Sequence, residues 1–521
     1  MPLTTSFSPE PVARLVNAFD APYDNAVATA RTCYSSKVVY AEDVGKDDAS
    51  RGRRDAIAQS IFQAGHHTTL QHATFQFVLE KVSRQCIWSF LHSHPFYNSE
   101  QVSQRYVAVS PENFSVPELP QSSQELYVST IHLLMEAYSK LQELLKPAVE
   151  AEFRRIFPSR NLSEKRWQSS IKKRCQETAR YVLPVATHAH LYHTISGITL
   201  LRYIRLSENY DTSAEQTLLV RKMADAVKAW DPDFLKNAQD PLPLEDTPEY
   251  GFLNRKDYAP TDASGFLREF DAGLSGRCSV LTDYKTHAGK SMAQAVRSVL
   301  GLRANELSDA DAIDSVLNPS KNAYLSETMN LTQHGKLTRA MVHPHFTFRK
   351  KISHTADSQD QRHRTIPGSR PVLARHFSSA PDYIVPALID AAPLAKEFYC
   401  DTMDTLWKRM DLLLSQGAKV ESVLYLLPNA FPIRFEESGT LLDFHHKWVH
   451  RLCYTAQEEI WKASKEEVEQ VQNISPLIGK YLRAPCSLRQ GAGRKPFCPE
   501  GERFCGVPVW NQPLEKYQRL I

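Results

Sequence analysis

A pattern written twice in the same order governs what this chain can fold into, because repetition of that kind marks two copies of one folding unit. Near the start stands GHHTTLQHATFQF (Gly65 to Phe77), followed by NSEQVSQRYV (Asn98 to Val107). Much later, VHPHFTF (Val342 to Phe348) and SQDQRHR (Ser358 to Arg364) take the corresponding places. Ahead of each comes a further echo, ATARTCYSS (Ala28 to Ser36) against AQAVRSVLG (Ala293 to Gly301). Behind each comes a shared phrase, ARYVLP (Ala179 to Pro184) against LYLLP (Leu424 to Pro428). Phe75, Phe77 and Leu79 alternate as on a strand in one copy, as Phe346 and Phe348 do in the other. Two unrelated helical domains sharing short apolar phrases would leave the common order unexplained.

Long amphipathic helices separate these pieces. The first carries Leu126, Leu133, Leu134, Tyr138, Leu141 and Leu145 on one stripe, with Ser122 and Glu125 placed as a capping box. The second runs from about Ile384 and is closed by Gly417. Between the halves, a stretch rich in Pro, Asp and Gly lacks periodicity and reads as a linker or extended crossover. The expected organisation is a first domain at 1–230, a linker at 231–275, a second domain at 276–475 and a Cys-containing tail at 476–521. A net charge of +3 gives no electrostatic case for nucleic acid. No apolar run reaches membrane-spanning length, and the N-terminus carries Pro and charges where a secretory signal needs apolar sequence. Nine cysteines, an odd number, fit a reducing compartment better than a disulfide framework. A cytoplasmic protein without membrane or nucleic-acid partners is the expectation.

Taken together, the duplicated pieces resemble the signature of the flavin-dependent thymidylate synthases: a Gly-His-x-Thr turn, a strand, Gln-x-x-Arg-His-Arg, and a terminal Ser-x-Arg-Tyr. The resemblance covers about residues 20–225 and 290–470. It implies an α+β fold class, with two tandem copies of that fold, each an antiparallel sheet with long helices. Members form homotetramers with active sites where protomers meet. Two fused copies therefore imply a pseudo-dimer, and a homodimer of about 120 kDa that rebuilds a pseudo-tetramer. The implied activity is FAD-dependent methylation of dUMP to dTMP, with methylenetetrahydrofolate as carbon donor and NADPH as reductant. A one-carbon transfer to another pyrimidine nucleotide is one alternative. A non-catalytic nucleotide-binding or scaffold relative is another.

The resemblance assigns roles residue by residue, and each copy keeps a different subset. In the first copy His66 and Thr68 match the turn that touches flavin. Ser103 and Arg105 match the Ser-x-Arg-Tyr groups that hold the nucleotide, Ser103 being a candidate catalytic residue, and Arg180 matches a further nucleotide arginine. Arginine suits phosphate because its planar fork pairs with two oxygens at once. The Arg-His-Arg position reads His92-Ser93-His94, and Ser196-Gly197-Ile198 stands where the family has Asn-x-Arg. In the second copy Gln359, Arg362, His363 and Arg364 reproduce the block that meets flavin and nucleotide, and Arg451 matches the arginine that reads the uracil. There TIPGSRP (Thr365 to Pro371) replaces Ser-x-Arg-Tyr, Leu424 replaces the nucleotide arginine, and Asn-x-Arg is lost near Ser438-Gly439-Thr440. One complete site then requires a pseudo-twofold axis that brings half-loops of different copies together. Surface or interdomain ion pairing, the ordinary fate of an arginine, is the competing reading.

The tail, outside the resemblance, gathers Cys486, Cys498 and Cys505 in a Gly- and Pro-rich segment. Zinc or an iron–sulfur cluster needs thiolates of this kind, with a fourth ligand from Cys453, His445 or His446. There is no C-x-x-C, so three reduced cysteines in a docked tail is the alternative. His188, His190 and His193 lack the spacing of a metal triad, and Gly289-Lys290-Ser291 lacks the leading glycine of a phosphate loop.

Overall fold

The computed structural model describes residues 7–206, 211–253 and 263–519. It holds two antiparallel four-stranded sheets of the same topology. The first contains β1 (Val12–Ala18), β2 (Thr74–Ser83), β3 (Tyr97–Gln101) and β4 (His188–Ser196), in the order β1-β2-β4-β3. The second contains β5 (Ser279–Tyr284), β6 (His345–Ser353), β7 (Gly368–Ser369) and β8 (Pro432–Thr440), in the order β5-β6-β8-β7. Phe75, Phe77 and Leu79 fill the inner face of β2. Phe346 and Phe348 do so on β6, but the third inward position there is Lys350, fully buried. Register fixes the equivalence: Phe77 lies opposite His193 as Phe348 lies opposite Glu437, and Leu79 opposite Leu191 as Lys350 opposite Phe435.

The two copies meet about a pseudo-twofold axis through Pro184 and Pro428, which face one another in an antiparallel bridge. Val185 N–H donates to Leu427 O (2.8 Å) and, symmetrically, Asn429 N–H to Leu183 O (2.8 Å). Ala186 donates to Tyr425 O as Ala430 does to Tyr181 O. The shared ARYVLP and LYLLP phrases are thus the seam. A pair of side-chain triads repeats the symmetry. Ser83 N–H and Oγ–H donate to Glu215, whose carboxylate also accepts from Tyr425 Oη of the other copy (2.7 Å). Ser353 donates in the same way to Glu459, which accepts from Tyr181 Oη (2.5 Å). Both serines also cap the helices that follow, Arg84–His92 and His354–Asp360.

Each sheet has its own apolar core, and a third core along the axis is shared. That central core is built by the helices Gln121–Ile156 and Pro393–Ser415, with Tyr127, Leu134 and Leu141 packed among Met403, Trp407 and Met410. The predicted stripe is therefore a coupling surface between copies. Gly417 adopts φ +87° just past the second helix, as a C-terminal glycine should. The predicted capping box at Ser122 and Glu125 is absent: Pro120 takes the N-cap, and the Ser123 hydroxyl donates to Gln416 of the partner helix. The expected linker is partly structured. Its helix Ser264–Leu274 belongs with the second sheet, where Asp271 pairs with Lys351 and Arg434. Among the described residues, no helix is long and apolar enough to cross a membrane.

Candidate functional site

The segment after β3 is pinned before it reaches its arginine. Val102 N–H donates to His190 O, Gln104 Nε2 to Thr187, and Asn429 Nδ2 to both Gln104 Oε1 and Arg180 O. Ser103 Oγ accepts from Arg105 N–H, tightening the turn. Arg105 then crosses the seam, donating to Glu177 (2.6 Å) and to the carbonyl of Thr455 in the second copy (2.7 Å). Four residues before Thr455, Arg451 donates to His363 Nε2 (2.9 Å) and to Gln359 O (3.0 Å). Accepting at Nε2 makes His363 a neutral ring with its proton on Nδ1. Burial and the Arg451 charge hold its pKa well below the ordinary histidine range. The rest of the block lies against the first copy's β3: Arg364 donates to Asn98 and sits over the Tyr97 ring, and Arg362 faces Glu100 at 3.9 Å. Gln359, Arg362, His363, Arg364 and Arg451 of one copy therefore converge with Ser103, Arg105 and Arg180 of the other.

This junction is over-supplied with positive charge. Arg180 is buried, and its Nε and Nη2 have no hydrogen-bond partner among the described residues. Burial and the Arg105 charge depress its pKa, against the pull of Glu177. Arg451 is lowered to about 10 by burial, with Arg362 and Arg105 adding to the effect. Arg519 from the tail is lowered to about 9 by burial and then by Arg174. Two carboxylates stand among them. Glu177 is held at about 2 against burial by Arg105, Arg174 and Arg180, whereas burial and Glu459 push Glu458 up to about 7. Beside these carboxylates, Arg180 still keeps two guanidinium nitrogens without a hydrogen-bond partner among the described residues. The crevice beside them, walled by Arg174, Glu177, Tyr181, Glu458 and Arg519, measures about 20 Å³. That is room for a water molecule.

The pseudo-symmetric position is a different matter. His92 stands nine residues after Ser83 as Arg362 does after Ser353, so His92, Ser93 and His94 occupy the Arg-His-Arg places without a gap. His92 hydrogen-bonds Trp88 O and faces Asp357, which also pairs with Arg370. Leu424, at the place of Arg180, is buried in the shared core. At one of the two related positions the arginines stand across the seam; at the other His92 and the Asp357–Arg370 pair take their place.

His66 and Thr68 do not join the cluster. Their turn adjoins Thr74, which pairs with Ser196, while Val102 leaves from His190 toward the other end of β4. Both are exposed there. The Asn-x-Arg replacements are filled positions: a Cβ on Gly197 would lie 2.4 Å from the Phe234 ring, and Thr440 caps the helix Leu441–Arg451. Sequence reasoning missed Arg174, Glu177, Glu458 and Arg519. Glu177 stands three residues before Arg180 in the seam phrase and was there to be read; Arg519 has no local signal. The tail helix Pro485–Gly491 docks on the second copy, where Tyr517 and Val509 join its core. Among the described residues no three His, Cys, Asp or Glu side chains stand close enough to hold a single metal ion.

The fold and this junction define a duplicated α+β chain in which arginines of both copies meet across the seam. The family described as "Thymidylate synthase complementing protein" matches residues 14–233 and again residues 280–477. The chain belongs to that family, and its curated relatives are flavin-dependent thymidylate synthases, enzymes of the methyltransferase type. That of Clostridium tetani is 24% identical over 212 residues, spanning 40% of this chain and 79% of the relative. That of Mycobacterium avium is 26% identical over 208 residues, spanning 39% and 76%. A solved UMP/dUMP methylase, PolB from Streptomyces cacaoi bound with 5-Br dUMP, is similar at 17% identity over 43% of this chain and 93% of that one, with a TM-score of 0.32.

Proposed function

We propose that the chain methylates dUMP to dTMP in a flavin-dependent reaction at one composite site, with methylenetetrahydrofolate as carbon donor and NADPH as reductant. The observation that carries this reading is that Arg105 reaches across the seam toward Arg451, with Arg180 behind it holding two unpartnered guanidinium nitrogens. In this reading Arg105 and Arg180 hold the nucleotide phosphate, and Arg451, fixed by His363 and the Gln359 carbonyl, faces the uracil. Such fixing restricts the pyrimidine to one orientation, which is the main service a protein gives to chemistry carried by a cofactor.

The residues fit a flavin when two chains cooperate. Arg362, exposed, and Arg364, half-buried, lie against the first copy's β3 and suit a dinucleotide pyrophosphate. His66 and Thr68 are too far along the sheet to reach the same flavin, so a second chain would supply that turn, and the homodimer becomes part of the reading. A bound flavin would carry the hydride. Replacing Arg362 with Ala should then weaken FAD by about 2 kcal/mol, roughly thirtyfold, while leaving dUMP affinity unchanged. Fluorimetric flavin titration reads the first quantity and calorimetry the second.

The closed Asn-x-Arg positions favour a second reading, a nucleotide-binding relative without hydride chemistry. Release of tritium from [5-³H]dUMP with folate, NADPH and FAD present separates the two. Release supports the synthase; dUMP binding without release, in protein loaded with FAD, would leave the binding role alone.

A further inference from the structure

A cavity of about 310 Å³ lies between the second copy and the tail, bordering the arginine cluster at Thr455, whose carbonyl receives Arg105, and at His446, whose ring meets His363. Four of the nine cysteines line it: Cys453, Cys486, Cys498 and Cys505. They come from three separate stretches. Cys453 follows the helix Leu441–Arg451, Cys486 opens the helix Pro485–Gly491, and Cys498 and Cys505 flank a loop whose only regular element is a turn at Gly501–Arg503. Left-handed backbone at Gly501 (φ +54°) and Gly506 (φ +86°) turns the chain on either side of Cys505. We propose that these four thiolates bind a [4Fe–4S] cluster that fastens the tail to the second copy.

Three considerations carry the assignment. A single zinc draws its sulfurs to about 2.3 Å from one centre, hence within about 4 Å of each other, and the described residues contain no group that compact. An iron–sulfur core fills its own centre, so its thiolates stand apart around a cavity, as they do here. The walls suit the negative charge of a thiolate-ligated cluster. Arg489 lies on the cavity, anchored to Ser326 O and Pro496 O, with His445, His446 and His450 on the facing helix and Glu500 as an opposing carboxylate. The loop between Gly493 and Val509 has little core of its own, the situation in which a metal staple contributes most.

The test is metal and sulfide analysis of the whole chain, produced with added iron and purified without oxygen. About four irons and four acid-labile sulfides per chain are expected, with an electron paramagnetic resonance signal after dithionite reduction. Cys453→Ser, Cys486→Ser, Cys498→Ser and Cys505→Ser should each lower bound iron by about half or more, whereas Cys33→Ser, at an exposed position elsewhere, should not. One zinc and no sulfide would overturn the proposal. So would a chain that takes up neither iron nor sulfide on anaerobic reconstitution, or undiminished iron in all four variants. Should the variants prove insoluble, the iron and sulfide content of the unaltered chain decides the matter alone.

Discussion

Lys350→Leu should destabilise the protein by about 3–5 kcal/mol, the cost of leaving buried carboxylates without their cation. Lys350 Nζ lies 3.2 Å from Asp360, 2.8 Å from Glu437 and 2.9 Å from Glu467. Lys447 reaches Asp360 at 2.9 Å and Glu437 at 2.6 Å, and Trp448 Nε1 donates to Glu467. None of these five charged side chains is more than 1% exposed. The first copy supplies a natural control. Register and the seam place Leu79, Phe90, His193, Tyr203 and Met223 where the second copy has Lys350, Asp360, Glu437, Lys447 and Glu467. There the rings pack directly, Phe90 to Tyr203 at 4.3 Å, and His193 hydrogen-bonds Tyr203 Oη at 3.1 Å. The same backbone has therefore been filled once with ions and once with apolar and neutral groups. Exchanging all five residues should cost less than Lys350→Leu alone, because no charge is then orphaned. Urea midpoints of the two variants measure this; a single-variant loss below about 1 kcal/mol would mean that water compensates the network. Asp360 precedes the Arg362 block by two residues, which gives the ionic version a use: it anchors the helix end from which that block departs.

The duplication was legible because its phrases sit at points the fold cannot change. ARYVLP and LYLLP form the seam, and the paired serines before the signature blocks cap helices and bind the triad glutamates. What the chain order could not reveal was which half-loops would meet. Arg105 and Arg451 come together only because Pro184 and Pro428 face each other, and no periodicity records such a pairing. The capping box failed for a similar reason. Ser122 and Glu125 had the right spacing, but Pro120 presets the turn and a contact with Gln416 of the other copy claims the neighbouring hydroxyl. Of the tail, the three cysteines were visible by density alone. Cys453 stood among the candidate fourth ligands, and its place on the same cavity depends on the tail folding back over the second copy, the docking that also brings Arg519 to the crevice.

Arg180→Leu should separate binding from folding more sharply than any other change at the junction. The replacement is the residue the other copy already carries, since Leu424 occupies the pseudo-equivalent place and is fully buried. Removing Arg180 takes away two donors, Nε and Nη2, that have no partner among the described residues, and its carbonyl, which receives Asn429, is retained. A buried cation with unsatisfied donors is a net cost to the folded state, so the variant should melt at the same temperature as the parent or above it. The affinity for dUMP should move the other way, by about 3 kcal/mol or roughly a hundredfold, because a desolvated arginine–phosphate contact is lost while Glu177 remains to repel the phosphate. In the parent, affinity should fall as salt rises, and the slope should be shallower in the variant. Calorimetric titration with dUMP at two salt concentrations, beside a thermal melt, reads all three quantities. Leu424→Arg provides the converse, and it should create no second site, because the block facing it reads His92-Ser93-His94 and His92 is already tied to Trp88 and Asp357. Unaltered dUMP affinity in Arg180→Leu would sink the composite site; lowered stability with unaltered affinity would make the arginine a structural cation held by Glu177.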